Sequence, residues 1–386
     1  MRTVWLPLPL LLLLLMAPQI LETLYSPALT DISHAYGVSA SAAGQTLSIY
    51  FLAFAFGVFF WGRCSDRIGR RQSMLCGLIV YLIGALLALF TAPHFEWLLL
   101  ARLLTAFGAA VGSVVTQIML RDVFQGPALG KLFASMGMAL ALSPMIGLAS
   151  GGFLVELGSI TAVFLGQLGL ALILLLWGLK ALPETQADQA QVHTLPLSQT
   201  ALKMLSDPHI QCSVLLVSAF NVMSFAYFAL APFTFDQLGL SQQQFGYTGA
   251  LLALASLAGA GLNRHLLTRH VAVLSQIYLG AGLAFMAALL LLWRPHSLWL
   301  LPAAMLVMLA FGLAIPNILS QALSHYRHTL GTASALFGLT YYLIIAGGLH
   351  LAASSQSLSL TLLVCSLVAL VATFGLGRSQ PALRQG

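Results

Sequence analysis

Charge is what this chain lacks most. Only 7% of its 386 residues are Asp, Glu, Lys or Arg, against about 25% in an ordinary soluble domain, so no continuous water-facing shell can be assembled. Cysteine is scarce as well: Cys64, Cys76, Cys212 and Cys365 show no CxxC spacing, which argues against a thiolate metal site or a disulfide framework. A nucleotide loop is missing. The nearest approach, GPALGKL at 126–132, has one residue too few between its glycines and no Ser or Thr after the lysine, which sets aside an ATP-driven pump. There is no HExxH, no GxSxG and no pair of carboxylates inside an apolar block, and the ten histidines stand mostly between blocks. An enzyme needs such groups to converge, so no catalytic residues, metal or cofactor are expected. The formal charge of +6 forms no basic stripe with interleaved aromatics, so nucleic acid is not an expected partner.

What is present is hydrocarbon. The composition is 59% hydrophobic, and a mean hydropathy of +0.94 is spread along the whole chain in apolar blocks of about twenty residues, the length that crosses a bilayer as a helix. In lipid the backbone must satisfy its own hydrogen bonds, and segments of this length do so only as helices. The blocks predict an all-α membrane protein with twelve spans at 4–25, 42–61, 73–91, 97–120, 129–154, 160–180, 210–233, 245–262, 271–293, 299–319, 332–353 and 358–376. Leu10–Leu15 after Arg2 imitates a secretory signal peptide, but no small-x-small cleavage site follows and the block is read as a true first helix.

One connection is long and polar. It divides the chain into a six-helix bundle over 1–180, a linker over 181–209 with a short surface helix around 197–205, and a second six-helix bundle over 210–386. With the N-terminus in the cytoplasm, fourteen of the sixteen Lys and Arg residues fall on that side. Only Arg294 lies outside, and Arg102 falls within a helix. The positive-inside rule therefore places both termini and the linker in the cytoplasm. GRCSDRIGRR at 62–71 and GLNRHLLTRH at 261–270 occupy the same loop of each half, as two parallel repeats would.

Ionisable residues inside a membrane are expensive, at about 2.5 to 3.5 kcal/mol each on insertion scales, and are functional candidates by default. Glu22 and Arg102 are the two here. Glu22 lies five residues before Pro27, near the outer end of the first helix, and Arg102 five residues after Trp97 at the outer end of the fourth, each about 7.5 Å deep at 1.5 Å per residue. Oil favours the neutral carboxyl and a guanidinium favours the ionised one, so an acid placed between the two can exchange a proton as its surroundings change. The alternative has Arg102 snorkelling to the outer headgroups with Glu22 beside it or in water. At the other face, 62–71 packs four arginines and Asp66 beside Gly62 and Gly69, an arrangement suited to a breakable latch between helix ends, with Arg121 and Asp122 as partners.

These residues carry a resemblance. GRCSDRIGRR resembles the G-x-L-a-D-R-x-G-R-[RK] signature of the major facilitator superfamily. RLLTAFGAAVG from Arg102 to Gly112 is similar to its helix 4 arginine motif, and LSPMIGLASGG, with Pro144, Gly147, Gly151 and Gly152, to the helix 5 motif of its antiporters. LRD at 120–122, APF at 231–233 and GTASALFG at 331–338 look like the Bcr/CflA branch of drug:proton antiporters. The resemblance implies two six-helix bundles and alternating access, with Asp66, Arg67 and Arg70 as an inter-bundle latch and Arg102 tied to proton transfer. The acid of helix 1 stands one place early, at Glu22, with Thr23 in its usual position.

Candidates for substrate contact on the helices that would line a cavity are Gln19, Tyr25, Tyr50, Asn221, Phe225, Tyr247, Asn317, Tyr341 and Tyr342, aromatic-rich and suited to amphipathic or planar ligands. The expected function is proton-coupled export of drugs or other small amphipathic molecules by a monomer in a bacterial inner membrane, with the lipid bilayer, protons and the small-molecule substrate as its partners. Movement of a nucleoside, amino acid or sugar, by proton symport or uncoupled, is the alternative within the same fold.

Overall fold

The computed structural model describes residues 6–124, 126–186, 197–294, 297–324, 326 and 330–378, and every regular element among them is helical. In order these are α1 (Leu8–Tyr25), a 3-10 turn (Ser26–Ala28), α2 (Leu29–Ala35), α3 (Ala40–Ile68), α4 (Arg70–Ala88), α5 (Phe95–Val123), α6 (Gly126–Ala181), α7 (Leu197–Leu205), α8 (Pro208–Gln237), α9 (Gln242–Thr268), α10 (Val273–Trp293), α11 (Leu300–Ala322), α12 (Leu330–Ser355) and α13 (Leu358–Arg378). Of the sequence features named above, Arg2 and the stretch 187–196 of the linker lie outside the described residues.

Eleven stretches of the described residues are long and apolar enough to cross a bilayer. One of them, Ser135–Ala181, has 47 residues, about 70 Å of helix at 1.5 Å per residue and roughly twice a hydrocarbon core. It breaks at Gly158 and at Ser159, where φ is 56° and ψ −152°, a region that residues with a side chain rarely adopt. The break makes two crossings of it and brings the total to twelve. Ser159 donates its hydroxyl to the Asp31 carboxylate at 2.7 Å, which ties the turn to α2.

Two boundaries correct the sequence reading. The first span does not end at Tyr25: it passes through the 3-10 turn containing Pro27 into α2, because proline at the start of a turn needs no hydrogen bond from its nitrogen. The signature at 62–71 is not a loop. Seven of its residues continue α3, whose charged side chains tolerate a helix end at the membrane face, and the chain turns only at Gly69, where φ is +96°.

Two helical units emerge, Met1–Val192 with Leu240–Gly249 and His193–Gly239 with Ala250–Gly386. In the first, α1 packs on α6 and α5, and α5 also packs on α3 and α4. The fit is close because glycines stand at the crossings. A Cβ added at Gly112 would collide with the Leu14 carbonyl oxygen, one at Gly147 would lie 2.6 Å from the Ile20 oxygen, and one at Gly151 would collide with the Leu24 oxygen and stand 2.9 Å from its carbon. Pro18 lacks the N–H that Leu14 would otherwise bond, so α5 meets α1 at a carbonyl without its helical partner. Pro144 and Gly152 sit on the same α6 segment, and Gly152 turns the other way, 2.8 Å from the Gln242 oxygen where a Cβ would stand.

In the second unit α8 packs on α11, α12 and α13, and α10 on α11 and α13. Buried amides join three helices there: Asn317 of α11 donates Nδ2 to Asn263 Oδ1 of α9 at 2.9 Å and lies 3.4 Å from Gln276 Oε1 of α10. All three side chains are buried. Interhelical hydrogen bonds in membranes average about 0.6 kcal/mol and reach about 1.7. Asn317→Ala leaves two buried acceptors short of a donor, so it is expected to destabilise the protein by about 1 to 2 kcal/mol, measured as unfolding in mixed micelles. Asn317→Asp should do at least as much damage.

Candidate coupling site and cytoplasmic clasp

Arg102, two turns into α5, lies on the face that meets α1 and α3 and is 2% exposed, so the snorkelling placement does not occur. Its guanidinium carbon lies 4.0 Å from the ring centre of Tyr25 on α1 and 4.6 Å from that of Tyr50 on α3. None of its three side-chain nitrogens has a hydrogen-bond partner. Aromatic faces attract a desolvated cation by about 2 kcal/mol or more, against several kcal/mol for taking the charge out of water. The rings offset part of that penalty and leave every N–H donor open.

Glu22 is 1% exposed, one helical turn before Tyr25. Its Oε1 also has no hydrogen-bond partner, and the ion pairs found among the described residues do not include it. The sequence reading joined Glu22 and Arg102 at one depth; in the structure both are buried in the same unit, and the contacts to the guanidinium come from the two tyrosines. Tyr50 is fixed by donating its hydroxyl to the Pro18 carbonyl at 2.7 Å, while the Tyr25 hydroxyl is without a partner. Gln19 is half-buried with Oε1 unpaired. Thr23 turns onto α6, back-bonding to the Gln19 carbonyl at 2.8 Å and touching the space that a side chain at Gly147 would fill.

The sequence offered both tyrosines as substrate contacts and missed that their rings flank the Arg102 guanidinium. Tyr25 is three residues after Glu22, and that i, i+3 spacing puts both on one face. The spacing was the available signal.

The other substrate candidates scatter. In the second unit Asn221 bonds back to the Val217 carbonyl at 2.7 Å, the Phe225 ring is tilted at 57° to that of Phe228, and Tyr341 and Tyr342 have ring centres 4.3 Å apart. Ser218 on α8 reaches the Tyr341 carbonyl at 3.3 Å. Asn317 is held in the amide cluster, and Tyr247 is 60% exposed.

At the opposite end of the first unit the signature builds a clasp. Arg70 donates Nη1 to Asp66 Oδ1 at 2.9 Å and Nε to Asp122 Oδ2 at 3.0 Å, joining α3, α4 and α5. Asp122 also accepts from the Thr185 hydroxyl at 3.0 Å. Arg67 is exposed, Arg121 lies over the Phe133 ring at 5.3 Å, and Gly62 faces Val114. Arg71 reaches the carbonyls of Leu182 and Leu179.

Glu184, which the sequence reading left in the linker, closes this clasp. Its carboxylate accepts from the backbone N–H groups of Arg70 at 2.9 Å and Arg71 at 3.1 Å, the open donors at the start of α4. It occupies the space over Gly69, where a Cβ would stand 3.1 Å from its Cδ. Partial burial acts to raise its proton affinity, but backbone N–H groups of Gln186, Arg70, Arg71 and Thr185 outweigh that and hold its pKa below the ordinary 4.5. A depressed carboxylate contributes stability that is present above its unfolded pKa and is lost as pH falls through the folded one. The melting temperature of Glu184→Gln is therefore expected to lie below that of the wild type at pH 7, with the gap closing as the pH is taken below 4.5 and through the depressed value. A gap that persists unchanged at low pH would contradict this.

The comparisons agree with this architecture. Residues 11–349 match the model of the Major Facilitator Superfamily. The chain is 33% identical over 352 residues, 87% of its own length and 86% of the relative's, to an uncharacterized transporter of Rickettsia bellii (strain RML369-C). It is 25% identical to multidrug resistance protein D of Escherichia coli (strain K12), covering 85% of this chain and 83% of that one. Among solved structures, a D-xylose-proton symporter superposes with a TM-score of 0.74 at 15% identity, over 98% of both chains, a likeness of fold. With twelve crossings, the signature clasp and a family match over most of its length, the chain belongs to the Major Facilitator Superfamily and is a membrane transporter rather than an enzyme.

Proposed function

We propose that the protein is a proton-coupled exporter of drugs or similar small amphipathic molecules, working by alternating access as a monomer in a bacterial inner membrane with both termini in the cytoplasm. The observation that carries the proposal is the buried Glu22 carboxyl in one unit with an Arg102 guanidinium that has no hydrogen-bonded counter-ion. Loss of a proton from Glu22 creates a carboxylate that the open N–H donors of Arg102 attract, and regaining it releases them. That exchange changes the contacts of α1 with α5 and α3, the kind of local switch that biases a two-state fold. The relative named multidrug resistance protein D supports the substrate class.

The test is transport in proteoliposomes under an imposed pH gradient, with planar amphipathic drugs, nucleosides, amino acids and sugars as substrates. Drug flux that follows the gradient and collapses with a protonophore is expected. Gradient-driven flux restricted to nucleosides, amino acids or sugars, or drug flux indifferent to the gradient, would reject the proposal.

The clasp is given its own role in this cycle, that of a latch released as access alternates. Asp66→Ala removes one of the two carboxylates on Arg70 and is expected to lower turnover at least tenfold, with ligand binding retained. Unimpaired turnover would remove the latch from the mechanism.

A further inference from the structure

We infer that the outward face of α7 is a lipid-binding surface, seated at the headgroup boundary of the leaflet where α8 enters the membrane. Its residues divide by direction. Thr200 and Met204, four apart, are 4% and 6% exposed and face the second unit, where α7 packs on α8 and α12. Leu202 and Leu205, three apart, are 69% and 67% exposed. At about 100° per residue the two leucines point opposite the buried pair. Gln199 and Lys203 share one flank between these faces. A short helix with an apolar outer face and a polar flank is the pattern of one that lies in the plane of a membrane surface.

The depth follows from the chain. Only Ser206 and Asp207 separate α7 from α8, a link that spans at most about 10 Å. α8 has 30 residues, about 45 Å of helix, the thickness of a bilayer with its headgroup layers, so its first turn lies at the headgroups. Leu205 cannot be far from that level.

The corner is also held rigidly. Gln211 of α8 donates Nε2 to the Leu205 carbonyl, and Asp207 caps α8 by accepting from the His209 N–H at 2.9 Å. Tyr326 donates its hydroxyl to Asp207 Oδ2 at 3.0 Å and lies 5.4 Å from Lys203 Nζ. Burial and the Asp207 carboxylate push the Tyr326 phenol up to about 12, so it remains a donor throughout the working pH range. The two leucines are thus presented from a fixed support, and α8, the span that follows, carries an exposed apolar side chain of its own at Leu215, 39% exposed.

Spin labels test the surface. With Cys64, Cys76, Cys212 and Cys365 replaced by serine, labels at Leu202→Cys, Leu205→Cys and Gln199→Cys are compared in phospholipid nanodiscs by collision with oxygen and with a water-soluble nickel chelate. Labels at 202 and 205 are expected to favour oxygen over nickel at least fivefold more than the label at 199. Free access of nickel to 202 and 205 would overturn the inference in favour of water, and shielding from both reagents would overturn it in favour of a protein partner or a second copy.

A second measurement leaves the cysteines untouched. Tryptic cleavage after Lys203 in nanodiscs is expected to be at least tenfold faster in the Leu202→Glu, Leu205→Glu double variant than in the wild type. Equal rates would count against lipid burial.

Discussion

In proteoliposomes under a pH gradient, Glu22→Gln is expected to abolish uphill transport, by a hundredfold or more, while exchange of substrate for substrate stays within about twofold of the wild type. Glutamine keeps the size of the buried side chain and the neutral form of the group but cannot lose a proton. The gradient then has no group through which to act on the α1 crossing, whereas thermally driven exchange needs only the alternation of the fold. If the gradient still drives accumulation in this variant, Glu22 is not the carrier. Arg102→Lys is the companion variant. A lysine ammonium is a compact charge and cannot cover two rings as a planar guanidinium does, so coupling should fall even though the charge is kept.

Gly151→Leu is expected to prevent folding altogether, and Gly151→Ala to destabilise by about 3 kcal/mol, the upper end for overpacking. The reason lies in what a side chain there would strike. Its Cβ would meet the oxygen, carbon and Cα of Leu24, which are backbone atoms of α1 and cannot rotate aside. Relief requires α1 to move away from α6, which also shifts Glu22 and Tyr25. The control is Gly169→Ala in the crossing after the break, where nothing lies within 4 Å of the added Cβ. Alanine is the better helix former by about 1 kcal/mol, so that variant should be neutral or more stable. A Gly151→Ala protein with an unchanged melting temperature would show that the crossing can relax.

The spans were legible because oil demands apolar runs about twenty residues long, and these recur along the sequence with few interruptions. What periodicity alone could not locate was where a helix stops. Gly158 and Ser159 were read as part of a loop at 155–159 and proved to be a sharp break between two helices, while arginines that look like a loop extended α3 to Ile68. A glycine with positive φ, here Gly69, ended that helix, and charge did not.

Glu22 and Arg102 stood out as charges in oil, and Asp122 was anticipated as a neighbour of the signature. Tyr25 and Tyr50 were read as substrate contacts because an aromatic side chain looks the same in a sequence whether it meets a ligand, a helix or a cation. Glu184 was passed over because the partners that tie it to α4 are backbone N–H groups more than a hundred residues away, which leave no mark on composition. The helix 1 acid, one place earlier than in the families that this chain resembles, also gains a reason: position 23 faces the crossing at Gly147, where a carboxylate would press on the backbone of α6.

The two halves fasten matching helices by different chemistry. Asp66, Arg70 and Asp122 hold α3, α4 and α5 through ions at the protein surface, whereas Asn263, Gln276 and Asn317 hold α9, α10 and α11 through neutral groups sealed from solvent. Dissolved electrolyte shortens the reach of the first, from about 8 Å at physiological strength to about 3 Å at 1 M, and has no comparable purchase on the second. A potassium chloride series thus becomes a selective solvent for one half of the machine, and any step of the cycle that quickens with it is one that the N-terminal helices had been restraining.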